Sequence, residues 1–513
     1  MYHRLGIIVS LIILLVILTG WGAGKGVGAL TSAGVTTLVS RHTDGAQADD
    51  SSVEPSVSAN GQYVAFVSMA DNLVEGDTNG SSDIFIHDRQ TGQTTLVSRA
   101  LDSTPAGGAN SPSISADGRY VAFESWADDL VPDDTNDTTD IFVYDRTLDQ
   151  TILVTRHTDG TQANSWSMLP AISGDGRYVA FASNADNLID EDIYCCQQIY
   201  LHDLETQETI LVSRRSDGKQ GNDGSTYPTI SADGRYVAFE SEATNLIVEK
   251  DTNGGGVNGS DIFVHDRQTG ETTLVSRHSD GTQGDYASVL STISADGRWL
   301  SFQSFASNLV DDDLNGVADI FVHDRQTGET TVVSRHSDGT SADAWSYGNA
   351  ISGDGQFVVF DSSAANLVDN DDNAASDIFV HDRQSGQTIL VSRHTDGTQG
   401  NNMGGGSGIS ARSVSISADG QVVVFESDAT NLIDDDDNNA RDIFAHEVTD
   451  LPTATPTATS LPTSTITPSA TPTMTGTPLT PTVTPTPTAT ATMVSSSYSL
   501  LLPVISGAPD ASR

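Results

Sequence analysis

Basic residues, cysteines and aromatics are all scarce in this chain of 513 residues, and each scarcity narrows what the protein does. Lys and Arg number 24 against 69 Asp and Glu, a formal net charge of −45. Nucleic-acid binding sets cations against phosphates, so no nucleic-acid partner is expected. Cysteine occurs twice, at the adjacent Cys195 and Cys196, which rules out a disulfide framework. The pair leaves open a vicinal bridge, an intermolecular bridge, or two partly buried thiols in a degenerate loop. No long helical hydrophobic period runs through the body of the chain, which leaves short β-prone runs as its elements. With aromatics at 6% of the residues, the places where they do occur carry information.

What the chain has in abundance is repetition. A block of about 58 residues recurs seven times between Thr36 and Val448, reading roughly TTLVSRHSDGTQ, ISADGRYVAFES, NLVDDDTNG and DIFVHDRQTGE in turn. The register is marked by Gly61, Gly118, Gly176, Gly234, Gly297, Gly355 and Gly420. Such a period signals an array of one supersecondary unit. In the copy around Gly297, short strands are expected over Ser288 to Ser294, Trp299 to Ser304, Asp319 to Arg325 and Thr330 to Arg335. The Asp-Gly turn after the first strand predicts a tight hairpin with both central residues at positive φ. Seven four-stranded antiparallel units predict an all-β, seven-bladed β-propeller. The first copy begins with a spare TTLVSR strand, Thr36 to Arg41, and the last stops after its third strand, Asp442 to Glu447. The N-terminal strand is therefore expected to complete the last blade and close the ring over residues 36–448, leaving no open edge.

The flanks read differently. Residues 1–29 have a basic start, an apolar run and then small residues, the layout of a signal peptide, with an uncleaved anchor as the alternative. Either layout places the propeller outside the cytoplasm, in the medium or on the cell surface. Residues 451–493 are Thr, Pro, Ala and Ser with almost no charge, a composition that stays extended. At about 3.1 Å per residue such a stalk reaches roughly 130 Å. Residues 494–513 form a short apolar tail, too short to span a bilayer.

The runs ISADGRYVAFESWADDL, from Ile114 to Leu130, and ISADGRYVAFESEATNL, from Ile230 to Leu246, each followed by DIFV, resemble the WD-like repeats of TolB-type propellers. The resemblance covers all seven copies and implies the propeller fold. Repeats of that type also occur in peptidase propeller domains and oligogalacturonate lyases. The chain departs from these relatives. It carries no additional N-terminal domain of the TolB kind. It also lacks Gly-x-Ser-x-Gly, the nucleophile elbow of a hydrolase domain.

In a propeller the second-to-third and fourth-to-first strand loops share one face, and here both are long, so that face is where binding is expected. The second-to-third loops carry a ladder of oxygen ligands: Glu75, Asp77, Asn79 and Asp83; Asp311, Asp313, Asn315 and Asp319; Asp369, Asp371, Asn373 and Asp377; Asp434, Asp436, Asn438 and Asp442. Glu249, Asp251 and Asn253 begin the same pattern, with Asp261 delayed by an insertion. Alternating hard oxygens in a tight loop suit Ca²⁺, and the spacing resembles the calcium loops of integrin-type propellers. The alternative is an acidic, solvated turn whose last Asp caps the third strand. The fourth-to-first loops repeat His42, His157, His278, His336 and His394, and such repetition argues for a loop-bridging role. Aromatics, in contrast, are confined to copies three to six: Trp166, Tyr227, Tyr286, Trp345 and Tyr347. Exposed rings in polar loops suit sugar or peptide recognition, with loop packing as the alternative. The function expected is a monomeric, non-catalytic binding module for an extracellular protein or glycan. A metal-dependent polysaccharide lyase or hydrolase on the pore face is the second possibility.

Overall fold

The computed structural model describes residues 34–248, 251, 253, 259–401 and 413–449, and these form seven four-stranded antiparallel sheets arranged as the blades of a propeller. No helix occurs among the described residues. Residues 1–29, 451–493, 494–513 and Glu249, for which signal, stalk, tail and ladder roles are expected, lie outside them.

Blade 5 shows the plan. Its strands are Ser288–Ile293, Trp299–Ser304, Asp319–Asp324 and Glu329–Val332. The first strand of every blade lines a central cavity of about 170 Å³, so strand order runs from the axis outward. Apolar residues face both sides of the middle strands because each blade is packed between two others. One stacked aromatic pair joins the second and third strands of each blade, as Phe302 and Phe321 do at 5.9 Å between ring centres.

The ring closes as the spare strand requires. Thr36–Leu38 pairs antiparallel with Asp442–Glu447, with Thr36 opposite His446 and Leu38 opposite Phe444. The Val39 amide donates to the Ile443 carbonyl at 2.8 Å. Blade 7 then packs on blade 1, where the Ala418 amide donates to the Ala59 carbonyl at 2.9 Å and the Ser52 amide to the Arg441 carbonyl at 2.7 Å.

The Asp-Gly turn corrects one expectation. Only its glycine has positive φ, 72° at Gly297. The Gly297 amide donates to the Ser294 carbonyl at 2.9 Å, so Ala295 and Asp296 form the turn and glycine follows it. Asp296 Oδ1 accepts from both Ser294 Oγ and the Arg298 amide, an arrangement that holds the turn without a second left-handed residue.

Candidate functional site

The two sets of long loops are stitched together on one face by a repeated asparagine. Asn308 Nδ2 donates to the Gln283 carbonyl at 3.0 Å while its Oδ1 accepts from the Asp285 amide at 2.9 Å. Asn72 and Asn187 make the same link to Gln47 and Gln162. The face is thus a rigid platform rather than a set of independent loops.

The candidate aromatics divide into two groups. Trp166, Tyr286 and Trp345 sit just before the first strands and are 50%, 45% and 49% exposed. Tyr227 and Tyr347 lie within first strands, Ser225–Ile230 and Ser346–Ile351, not in the loops. Tyr227 takes φ 48° at a bulge in its strand and lines the central cavity. Three of the five rings come together through a fourth that the loop pattern missed. Tyr286 contacts Phe305 at 6.3 Å, Phe305 contacts Trp345 at 6.3 Å, and Trp345 contacts Tyr347 at 5.9 Å, all edge to face. The arc spans blades 5 and 6. Phe305 is 39% exposed and follows the second strand, where its amide pairs with the Ala287 carbonyl before the first strand. A second missed ring, Trp126, occupies the same position in blade 2 and is 59% exposed, its indole against Gly108. The signal for both was the residue after the second strand, which faces the residue before the first. Trp166, in blade 3, stands apart from the arc among the described residues.

The acidic ladders have a common geometry. The last Asp is buried and holds its own blade together: Asp319 Oδ1 accepts from Ser334 Oγ at 2.6 Å, and Oδ2 accepts from Asn315 Nδ2 at 2.7 Å. Asp83, Asp377 and Asp442 repeat this with Asn79, Asn373 and Asn438. The first acid points outward. Asp311, Asp369 and Asp434 are almost fully exposed, and their carboxylates face His278, His336 and His394 at 3.6, 3.9 and 3.5 Å. Glu75 is also exposed. Burial raises the last acid, Asp83, Asp319 and Asp377, and pushes Asp442 up to about 6, and the middle acid is perturbed as well. Burial, then the charge of Asp83, pushes Asp77 up to about 6, and burial with Asp319 and Asp377 does the same to Asp313 and Asp371. Burial raises Asp436 as well. The ladders therefore bring their second and fourth members together and set the first apart. Among the described residues no three His, Cys, Asp or Glu side chains cluster closely enough to hold a metal ion.

The repeated histidines cap their own turns. His278 Nδ1 accepts from the Asp280 amide at 3.1 Å, and His157, His336 and His394 match it. With Nε2 directed at the next ladder's first acid, they bridge loops. Cys195 and Cys196 are free thiols in blade 3. Cys195 Sγ donates to the Asn222 carbonyl at 3.6 Å, and burial with the neighbouring Cys195 pushes the Cys196 thiol up to about 12.

No family model matches the sequence, and no curated protein does. Solved structures do match. TolB from Acinetobacter baumannii aligns at 17% identity and a TM-score of 0.38, over 65% of this chain and 64% of that one. An oligogalacturonate lyase in complex with manganese aligns at 14% and 0.49, over 82% and 94%. The propeller domain of the Trilobed protease from Pyrococcus furiosus aligns at 13% and 0.45, over 77% and 95%. The chain is similar to TolB-type and related propellers at a level that concerns the fold alone.

Proposed function

We propose that this propeller is a binding module for an extracellular protein or polysaccharide, acting as a monomer outside the cytoplasm without catalysis of its own. The reading rests on the arc of Tyr286, Phe305, Trp345 and Tyr347, which is half-exposed and confined to two of seven blades. A ring needed only for folding would recur in every blade, as the stacked aromatic pairs of the second and third strands do. Calcium in at least one acidic loop belongs to the same reading, because clustered hard oxygens on this face suit it. The net charge of −45 makes nucleic acid an unsuitable ligand.

Screening glycan and peptide arrays with and without EDTA tests this. A hit retained by the parent and weakened about fivefold or more by Trp345→Ala, with an unchanged fold, is the expected result. Loss of folding in that variant, with no array ligand found, points to packing instead. A metal-dependent lyase or hydrolase on the same face is the second reading. Its support is the set of carboxyl groups gathered on this face, of which burial and a neighbouring acid raise Asp313 and Asp371.

A further inference from the structure

We propose that the ladder of blade 1 is a divalent-cation site of the calcium class, built on Asp77 and Asp83, and that the ladders of blades 2 and 4 are filled instead by a glutamine amide. The proposal rests on the calcium reading above and narrows it from a repeated feature to one loop.

Each ladder is met from the side by the loop leading into the next blade, and the residue there is usually glutamine. In blade 4, Gln283 Nε2 donates to Asp251 Oδ1 at 3.1 Å and to Asp261 Oδ2 at 2.7 Å. In blade 2, Gln162 Nε2 donates to Asp134 Oδ1 at 2.8 Å and to Asp140 Oδ2 at 3.0 Å. An amide NH₂ shared by two carboxylates supplies the donors they need and stands where a cation would bind. The equivalent position in blade 1 is Pro105, as the bridge of Arg99 to Pro105, matching those of Arg277 to Gln283 and Arg156 to Gln162, establishes. Proline brings no donor.

The consequence is read at Asp77. This side chain is 5% exposed, and its Oδ1 is buried without a hydrogen-bond partner. The charges that face it are Asp83, Asp71 and Asp49, all acidic. Asp83 Oδ1 accepts from Ser98 Oγ and the Gly107 amide, while its Oδ2 accepts from Asn79 Nδ2 alone, which leaves Oδ2 a second lone pair. Asp77 accepts from the Asn79 amide, but a buried carboxylate oxygen left without a partner among like charges is unfavourable. A hard divalent cation with oxygen ligands removes both penalties, with main-chain oxygens and water completing its shell. Blade 7 is a weaker version. Asp436 Oδ1 also lacks a partner, but that side chain is only half-buried, and Gln47 spans the loop through the Asp435 carbonyl and the Asp437 amide.

Titrating the EDTA-stripped full chain with calcium alone, by calorimetry, tests the assignment. One site is expected, with a Kd of about 1 mM or tighter. Asp77→Asn and Pro105→Gln should each weaken it at least about tenfold, the first by removing a ligand and the second by supplying the amide. Asp134→Asn, in a filled ladder, should leave it within about twofold. Calcium binding unchanged in Asp77→Asn overturns the blade 1 assignment while the general calcium reading survives. Equal weakening in Asp134→Asn overturns the role given to glutamine. No binding by the parent overturns both. Thermal unfolding in EDTA is the folding control: Asp77→Asn should melt no lower than the parent, and a clear drop would mark Asp77 as structural and overturn the proposal.

Discussion

A buried histidine recurs in five of the blades as part of a structural relay. His323 Nδ1 lies 2.9 Å from Thr330 Oγ1, and Thr330 Oγ1 donates to the Arg277 carbonyl at 2.5 Å. The hydroxyl has one proton, already given to the carbonyl, so the imidazole must donate from Nδ1 and carry no proton on Nε2. His87, His202, His265 and His381 repeat the arrangement with Thr94, Thr209, Thr272 and Thr388. In these five blades the relay ties the outer strand to the loop entering its own blade. Thr330→Val keeps the shape but strands two buried polar groups. It should lower unfolding free energy by about 1–3 kcal/mol, read from urea denaturation. Thr331→Val, a half-buried neighbour on the same strand, serves as the control and should change it by under about 0.5 kcal/mol.

At the scale of elements, the turn glycines show how the blades lock. Gly355 takes φ 73°, and a Cβ there would run into the Trp299 indole of the preceding blade. Gly339, in a loop on the opposite face, takes φ 91° with nothing within 4 Å. Both positions strain an alanine, but only the first also clashes. Gly339→Ala should cost about 1–2 kcal/mol, and Gly355→Ala clearly more, by the further 1–3 kcal/mol typical of overpacking. Equal losses in denaturant titrations would mean the indole moves aside freely. The strands and their closure were legible in the sequence because repetition supplies the register seven times over, and a missing strand at one end answers a spare one at the other. The candidate site was less legible. Tyr227 and Tyr347 are expected in loops, but the first strands of their blades already begin at Ser225 and Ser346 and take both rings in. Phe305 was missed because it enters the arc from the second strand, a partnership set by pairing across the blade and invisible in the spacing of one loop. The glutamine that fills the ladders of blades 2 and 4 lies about 20 to 30 residues away in sequence, in a loop whose contact with the ladder is purely tertiary.

Across the whole molecule two buried populations titrate against each other. Burial holds His87, His202, His265, His323 and His381 at about 4, below the ordinary 6.5. Their folded pKa is depressed, so the unfolded chain takes protons first, and their contribution is present above pH 6.5 and lost as pH falls towards 4. Burial also lifts Asp140 and Asp261 to about 6 and Glu240 to about 7, from ordinary values of 3.8 and 4.5. Their folded pKa is raised, so their contribution is present below the ordinary carboxylate range and lost as pH rises through 6 to 7. The two trends cover the same window with opposite sign. The parent should therefore show little change in urea midpoint between about pH 4.5 and 6.5 when measured in EDTA. The triple substitution Glu240→Gln, Asp140→Asn and Asp261→Asn keeps acceptors on the Leu290 amide and the neighbouring hydroxyls while removing much of the carboxylate side. Its midpoint should then rise with pH across that window, because the histidines outweigh the carboxylates that stay raised at Asp77, Asp313, Asp371 and Asp442. A parent that already rises as steeply as the variant would show that the carboxylates are not strained in the folded ring, and that water satisfies them.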